Sequence, residues 1–149
     1  MMNIKTKYHG EMVINEKEIL TFENGIPGFL DEKQFILLPL TDDRVYFVLQ
    51  SVQTEELTFV VTDPFLFFPD YDFNLEDTVV SQLHIEAPTD VKVMNILTLQ
   101  DPFEKTTVNL QAPIVINTKN NEAKQVILNN EAYKTKHPLF KKSPASVKG

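Results

Sequence analysis

The chain has 149 residues, enough for one domain whose hydrophobic core needs no covalent support. It contains no cysteine, which excludes disulfide bonds and thiolate metal sites. Residues 1–133 hold nine Lys and Arg against 21 Asp and Glu, a formal charge of −12, whereas residues 134–149 hold five Lys and no acid. An acidic body of this kind repels nucleic acid, so we expect no direct contact with it.

The distribution of apolar residues argues against a membrane location. The first ten residues include Lys5 and Lys7 and lack the apolar run of a secretory signal. The longest apolar runs, such as residues 35–40, are far shorter than the roughly 20 residues of a membrane-spanning helix. We therefore expect a cytoplasmic protein that does not associate with membranes.

Short segments rich in β-branched and aromatic residues, separated by Gly, Pro, Asn and Asp, predict strands along most of the chain. In chain order the predicted strands cover residues 4–8, 12–14, 18–22, 35–40, 46–51, 57–62, 91–99, 107–110, 114–118 and 123–128. One short helix is predicted over residues 75–83, with Asn74 as its N-cap. The pattern is typical of a mostly-β, single-domain, antiparallel β-barrel-like fold over residues 1–140, followed by a basic, flexible tail over residues 141–149.

Residues 22–29 (FENGIPGF), called the glycine corner below, contain two of the chain's four glycines. Gly25 and Gly28 predict backbone with positive φ, and Pro27 fixes φ between them, so we expect a rigid double turn. This turn orients two apolar side chains, which either plug the core or contact a partner protein: Ile26 and Phe29.

Residues 65–73, called the aromatic run below, combine aromatic side chains with acids, which is the wrong charge for binding phosphate. Such a surface suits a basic or amphipathic protein partner. The candidate contact residues are Phe65, Phe67, Phe68 and Tyr71. If the run is extended, alternation places Phe65 and Phe67 on one side and Leu66 and Phe68 on the other, so that one pair is buried.

Two polar segments complete the candidate partner-binding residues. Asn109 and Gln111 precede a strand that starts near Pro113, and their amides either bind a partner's backbone or satisfy loop amides of this chain. Tyr133 and His137 belong to the segment YKTKHP, which closes the ordered part of the chain.

No pattern in the sequence indicates catalysis. The three histidines lie in unrelated contexts, the serines lack a G-x-S-x-G elbow, and the glycine corner lacks the Lys-Ser/Thr step of a phosphate loop. We therefore predict no enzymatic activity, no cofactor and no metal ion. Two alternatives stay open: a β-barrel enzyme whose carboxylates are brought together in a cleft, at least one with a strongly perturbed pKa, and an RNA binder that uses the basic tail.

Six segments in this order resemble the flagellar assembly factor FliW family of bacteria: FENGIPGF, FVLQS, FVVTDPFLFFPDY, NLQAPIVIN, QVIL and YKTKHP. The resemblance runs from about Thr6 to Leu139. It implies a small, cytosolic, chaperone-like protein that binds flagellin and also the translational regulator CsrA. Capture of CsrA, once flagellin has been exported, would relieve the repression of flagellin translation. We expect such a partner switch to be a monomer when free.

Overall fold

The computed structural model describes residues 1–140, so the tail predicted for residues 141–149 lies outside the described residues. The strands are β1 Met2–Thr6, β2 Gly10–Ile14, β3 Leu20–Thr21, β4 Gln34–Pro39, β5 Tyr46–Ser51, β6 Thr58–Thr62, β7 Val91–Thr98, β8 Thr107–Val108, β9 Ile114–Asn117, β10 Glu122–Gln125 and β11 His137–Pro138. The helix α1 spans Asp77–Gln82, and short 3₁₀ turns span Glu16–Glu18, Pro64–Leu66, Pro88–Asp90 and Phe103–Lys105. The predicted mostly-β fold with one short helix is confirmed.

The helix begins later than its pattern predicts. Glu76, not Asn74, occupies the N-cap position, and its side chain makes no capping bond. The first helical hydrogen bonds run from the Val79 and Val80 N–H groups to the Glu76 carbonyl. Upstream, the Tyr133 hydroxyl donates to the carbonyl of Asp72 (2.9 Å) and accepts from its N–H (3.0 Å), so a tertiary contact holds the segment that leads into the helix. Tertiary contacts of this kind commonly outweigh local helix signals.

Seven strands form a closed ring in the order β7-β6-β5-β4-β3-β10-β9, because β9 pairs with β7 as well as with β10. Every neighbouring pair in the ring is antiparallel except β3 and β10, which run parallel where Thr21 faces Glu122. An odd number of strands cannot alternate in direction all the way round a ring, so at least one parallel pair is required. The antiparallel prediction holds for the other six pairs.

Two buried clusters lie on opposite faces of the ring, as the alternation along β4 illustrates: Phe35 belongs to one and Ile36 to the other. The interior cluster takes a side chain from every strand of the ring, namely Leu20, Phe35, Leu49, Val61, Met94, Ile114 and Ala123. The outer cluster includes residues of the β1–β2 hairpin, α1 and the C-terminal segment, namely Ile4, Ile14, Val79, Leu83 and Leu139. These peripheral elements cover the outside of the barrel.

Candidate functional site

The glycine corner has the backbone that its sequence predicts. The φ angles are +71° at Gly25 and +89° at Gly28, and the Phe29 N–H donates to the Ile26 carbonyl at 2.7 Å across the Pro27–Gly28 turn. A side chain on Gly25 would overlap the backbone of Leu30. The corner is therefore fixed by its glycines.

The two apolar side chains of the glycine corner have different environments. Ile26 is 1% exposed and belongs to the interior cluster of the barrel. Phe29 is 42% exposed, and its ring lies 5.7 Å from that of Phe59. The core-plug interpretation thus describes Ile26, whereas Phe29 remains at the surface.

The aromatic run is not extended, so the alternation expected for an extended chain does not apply to it. A 3₁₀ turn begins at Pro64, and the Asp63 carboxylate caps it by accepting the Phe65 N–H at 2.9 Å. Asp at an N-cap followed by Pro at the first helical position is a favoured helix start. The turn sends the successive side chains in separate directions.

The predicted contact aromatics consequently divide into three neighbourhoods. Phe65 lies against Tyr71, with ring centroids 5.9 Å apart. Phe67 packs 6.0 Å from Phe140. Phe68 packs 5.1 Å from His137. The structure therefore brings Phe65 together with Tyr71 and separates both from Phe67 and Phe68.

Tyr71 is the buried anchor of the aromatic run. It is 5% exposed, its hydroxyl donates to the Leu110 carbonyl at 2.6 Å, and the Asn95 amide donates to it at 3.3 Å. Burial raises the pKa of Tyr71 to about 12, so the phenol stays protonated at neutral pH. The Tyr133 ring packs edge-on against it, 4.8 Å away. These contacts fix the ring of Tyr71 in one orientation.

An open depression, called the apolar groove below, lies beside Tyr71 and has a volume of about 510 Å³. Its apolar lining consists of Phe65, Tyr71, Phe73, Leu75, Val80, Ile85, Ala87, Pro88, Val91 and Val93, with Asp72, Asn74 and Glu86 as polar members. Sequence reasoning missed the wall formed by Val80 and Ile85. Helical periodicity identifies only the buried face of α1. Nothing in the sequence indicates that Val80, which lies beside that face, lines a depression.

The predicted amide segment serves this chain's own loop. The Asn109 side-chain oxygen accepts from the Ala112 N–H at 3.0 Å. The backbone carbonyl of Gln111 accepts from the Leu128 N–H at 2.8 Å. The side chain of Asn109 thus makes the internal contact that was one of the two interpretations given for these amides. His137 lies on β11, where burial, with a smaller effect of Lys134, lowers its pKa.

A second cleft, of about 480 Å³, separates the glycine corner from the end of α1 and β10. His84 adopts the left-handed conformation (φ +56°) just after α1. Its Nδ1 lies 2.7 Å from Glu122 Oε2, and this hydrogen bond raises the pKa of His84. This exposed imidazole–carboxylate hydrogen bond ties the end of the helix to β10, and it becomes an ion pair when the imidazole is protonated.

Two titratable groups with shifted pKa values, Glu32 and Tyr71, lie in structural contacts. Among residues 1–140, no group of three or more His, Asp and Glu side chains is placed to hold a metal ion. The pKa of Glu32 is lowered, chiefly by the hydrogen bond from the Ser51 hydroxyl, and the raised pKa of Tyr71 comes from burial in a structural contact.

No helix within residues 1–140 is both long and apolar enough to cross a membrane.

The chain is similar to known proteins over almost its whole length. Residues 3–139 match the family model described as FliW protein. The flagellar assembly factors FliW of Bacillus pumilus (strain SAFR-032) and Bacillus subtilis (strain 168) are 56% and 54% identical to it over 138 residues, covering 93% of this chain and 96% of each relative. A crystal structure of the flagellar assembly factor FliW matches with a TM-score of 0.89 and 53% identity, over 94% of this chain and 98% of that chain. These relatives are named as assembly factors and not as enzymes.

Proposed function

This chain belongs to the FliW family of flagellar assembly factors, and we propose that it works as a partner switch without catalytic activity. As a free monomer in the cytoplasm it binds flagellin. When flagellin is scarce it binds CsrA instead, which relieves the repression of flagellin translation.

The observation that carries the proposal is an acidic body whose surface is interrupted by exposed aromatic side chains. The formal charge of residues 1–133 is −12. Phe29 and Phe65 are each 42% exposed. Apolar contact residues surrounded by a polar rim are the usual anatomy of a protein–protein interface, so these features support a docking function.

The acidic body also supplies a physical account of CsrA antagonism. A protein that binds RNA presents basic surface to the phosphate backbone. An acidic protein docked beside that surface raises the free energy of bringing phosphate there, even when it does not occupy the RNA site. Antagonism of this kind weakens as salt rises, because salt screens exposed charges beyond about 8–10 Å.

The proposal is tested by titrating the full-length protein into a preformed CsrA–RNA complex at several salt concentrations and then adding flagellin. We expect RNA release that weakens with salt after correction for the salt dependence of RNA binding itself, and rebinding of RNA when flagellin is added. Binding of neither flagellin nor CsrA would overturn the proposal. Release that is insensitive to salt would overturn its electrostatic part.

The RNA-binding alternative is tested in the same assay without CsrA. The matched variant replaces Lys141 and Lys142 with Gln, which removes two positive charges from the basic tail. We expect neither protein to retain RNA. Retention by the wild-type chain that is lost in the variant would favour the alternative.

A further inference from the structure

The apolar groove is preorganised. Its floor is Tyr71, whose hydroxyl is held by the Leu110 carbonyl, and Val93, which is buried on β7. The rings of Phe65 and Phe73 lie 5.9 Å and 5.4 Å from that of Tyr71. A groove whose walls are already ordered loses little conformational entropy when a partner docks.

The groove has charges of one sign at its rim. Asp72 and Glu86 line it and are exposed to solvent. The lining residues, all within the described part of the chain, include no Lys or Arg. An occupant whose apolar side chains are flanked by Lys or Arg therefore matches both the apolar floor and the acidic rim.

The groove is formed by side chains from several separate segments: the 3₁₀ turn after β6, residues 71–75, α1, residues 85–88 and the start of β7. A partner strand would bind mainly through backbone hydrogen bonds, whereas an amphipathic helix binds through an apolar face. A volume of about 510 Å³ accommodates a few side chains and not a whole helix. A groove of this size therefore suits a few apolar side chains from one face of a helix.

We propose that the apolar groove is the flagellin-docking site and that it receives an amphipathic helical segment whose apolar side chains are flanked by Lys or Arg. This assignment rests on the proposed function, since it locates the binding of one of the two proposed partners. Phe65 is its main contact residue, because it is the lining aromatic with the largest exposed fraction, 42%. Glu86 provides the charge selectivity at the rim.

The chain offers a matched control for each of these residues. Phe103, like Phe65, follows an Asp-Pro pair, lies in a 3₁₀ turn and is 41% exposed, but it packs against Tyr46 outside the groove. Glu55, like Glu86, is exposed, and it does not line the groove. The informative variants are therefore Phe65→Ala against Phe103→Ala, and Glu86→Lys against Glu55→Lys.

The experiment measures the affinity of the wild-type protein and these four variants for purified flagellin and, separately, for purified CsrA. We expect Phe65→Ala to weaken flagellin binding about tenfold or more, as for an interface hot spot. Glu86→Lys should weaken it several-fold, and more strongly at low salt, because a repulsive charge replaces an attractive one. The two control variants should change flagellin affinity by less than about threefold, since most residues outside hot spots contribute little.

Each other outcome contradicts the assignment in a recognisable way. Unchanged flagellin affinity in both groove variants overturns the groove while the proposed function stands. Absence of flagellin binding by the wild-type protein overturns both. Loss of CsrA binding with flagellin binding kept assigns the groove to the other partner, and a dimer that Phe65→Ala dissociates assigns it to a second copy of the chain. If Phe65→Ala lowers the melting temperature sharply, the exposed Glu86→Lys variant decides alone.

Discussion

The glycine corner and the aromatic run are both short, contain proline and are rich in apolar residues, yet they use their side chains in opposite ways. The corner places Phe22 and Ile26 in the interior cluster of the barrel, at 0% and 1% exposure. The run leaves Phe65 at the surface and buries Tyr71 outside the ring, in the outer cluster. Both loops connect strands that are neighbours in the ring, β3 to β4 and β6 to β7, but the second connection also contains α1. The burial of an apolar residue in these loops therefore depends on whether the loop packs into the barrel interior or against its outer face.

The largest expected effect tests the corner as part of the core. Ile26→Ala removes a nearly inaccessible side chain from the barrel interior and should lower the free energy of unfolding by about 2–5 kcal/mol. Phe29→Ala, at a site 42% exposed, should lower it by clearly less, although it removes more atoms. Urea denaturation measures both. Equal losses would contradict the contrast between the two residues of the corner.

The next expected effect is a difference in stability between substitutions at Gly28 and at Gly25. Gly28→Ala requires a left-handed residue in open space and should lower the free energy of unfolding by about 1–2 kcal/mol. Gly25→Ala adds to this strain an overlap with the backbone of Leu30, so it should be the more destabilising of the two. Thermal and urea denaturation of the pair, compared with wild type, give the difference. A Gly28→Ala variant that is the less stable of the two would contradict this geometry.

In the aromatic run, Tyr71→Phe keeps the ring and removes the hydroxyl. It should lower the free energy of unfolding by about 1–2 kcal/mol, because the Leu110 carbonyl loses its donor in a buried site. Flagellin affinity should stay within about threefold of wild type, since the groove keeps its aromatic floor. A large loss of affinity without a loss of stability would mean that the hydroxyl itself contacts the partner.

The smallest expected effect is a pH dependence of the melting temperature. It arises just after the glycine corner, where the Glu32 carboxylate accepts hydrogen bonds from Ser51 and Thr54. The Ser51 bond is the main reason that the pKa of Glu32 lies below its ordinary value of 4.5. Stability from this group is therefore present above pH 4.5 and is lost as the pH falls through the lowered pKa of the folded state. Melting temperatures from pH 6 to pH 3 should fall less steeply for Glu32→Gln than for wild type. Parallel curves would show that Glu32 makes no such contribution.

Local patterns predicted most of the strands and the turn chemistry of the glycine corner, because alternation and positive φ are properties of adjacent residues. Closure of the ring was beyond such patterns, since the pairing of Thr21 with Glu122 has no local signal. The aromatic run illustrates a different failure. The Asp63-Pro64 pair that precedes it follows the predicted strand 57–62 and is also a helix-start signal, so the run begins in a 3₁₀ turn and not in extended backbone. Of the four predicted contact aromatics, Phe65 and Tyr71 line the groove, whereas Val80 and Ile85 join it through tertiary packing alone.

The pairing that closes the ring bears on how the protein folds during synthesis. Beside it, the Asn121 side chain donates to the Lys17 carbonyl, 104 residues earlier in the chain. Contacts between such distant residues form slowly, because the entropy of loop closure opposes them. On the ribosome, β3 therefore keeps one unpaired edge until β10 has been synthesised, and an unpaired edge is a template for pairing with another chain. We expect the risk of aggregation to be concentrated in this interval and to fall once residues 122–125 complete the ring.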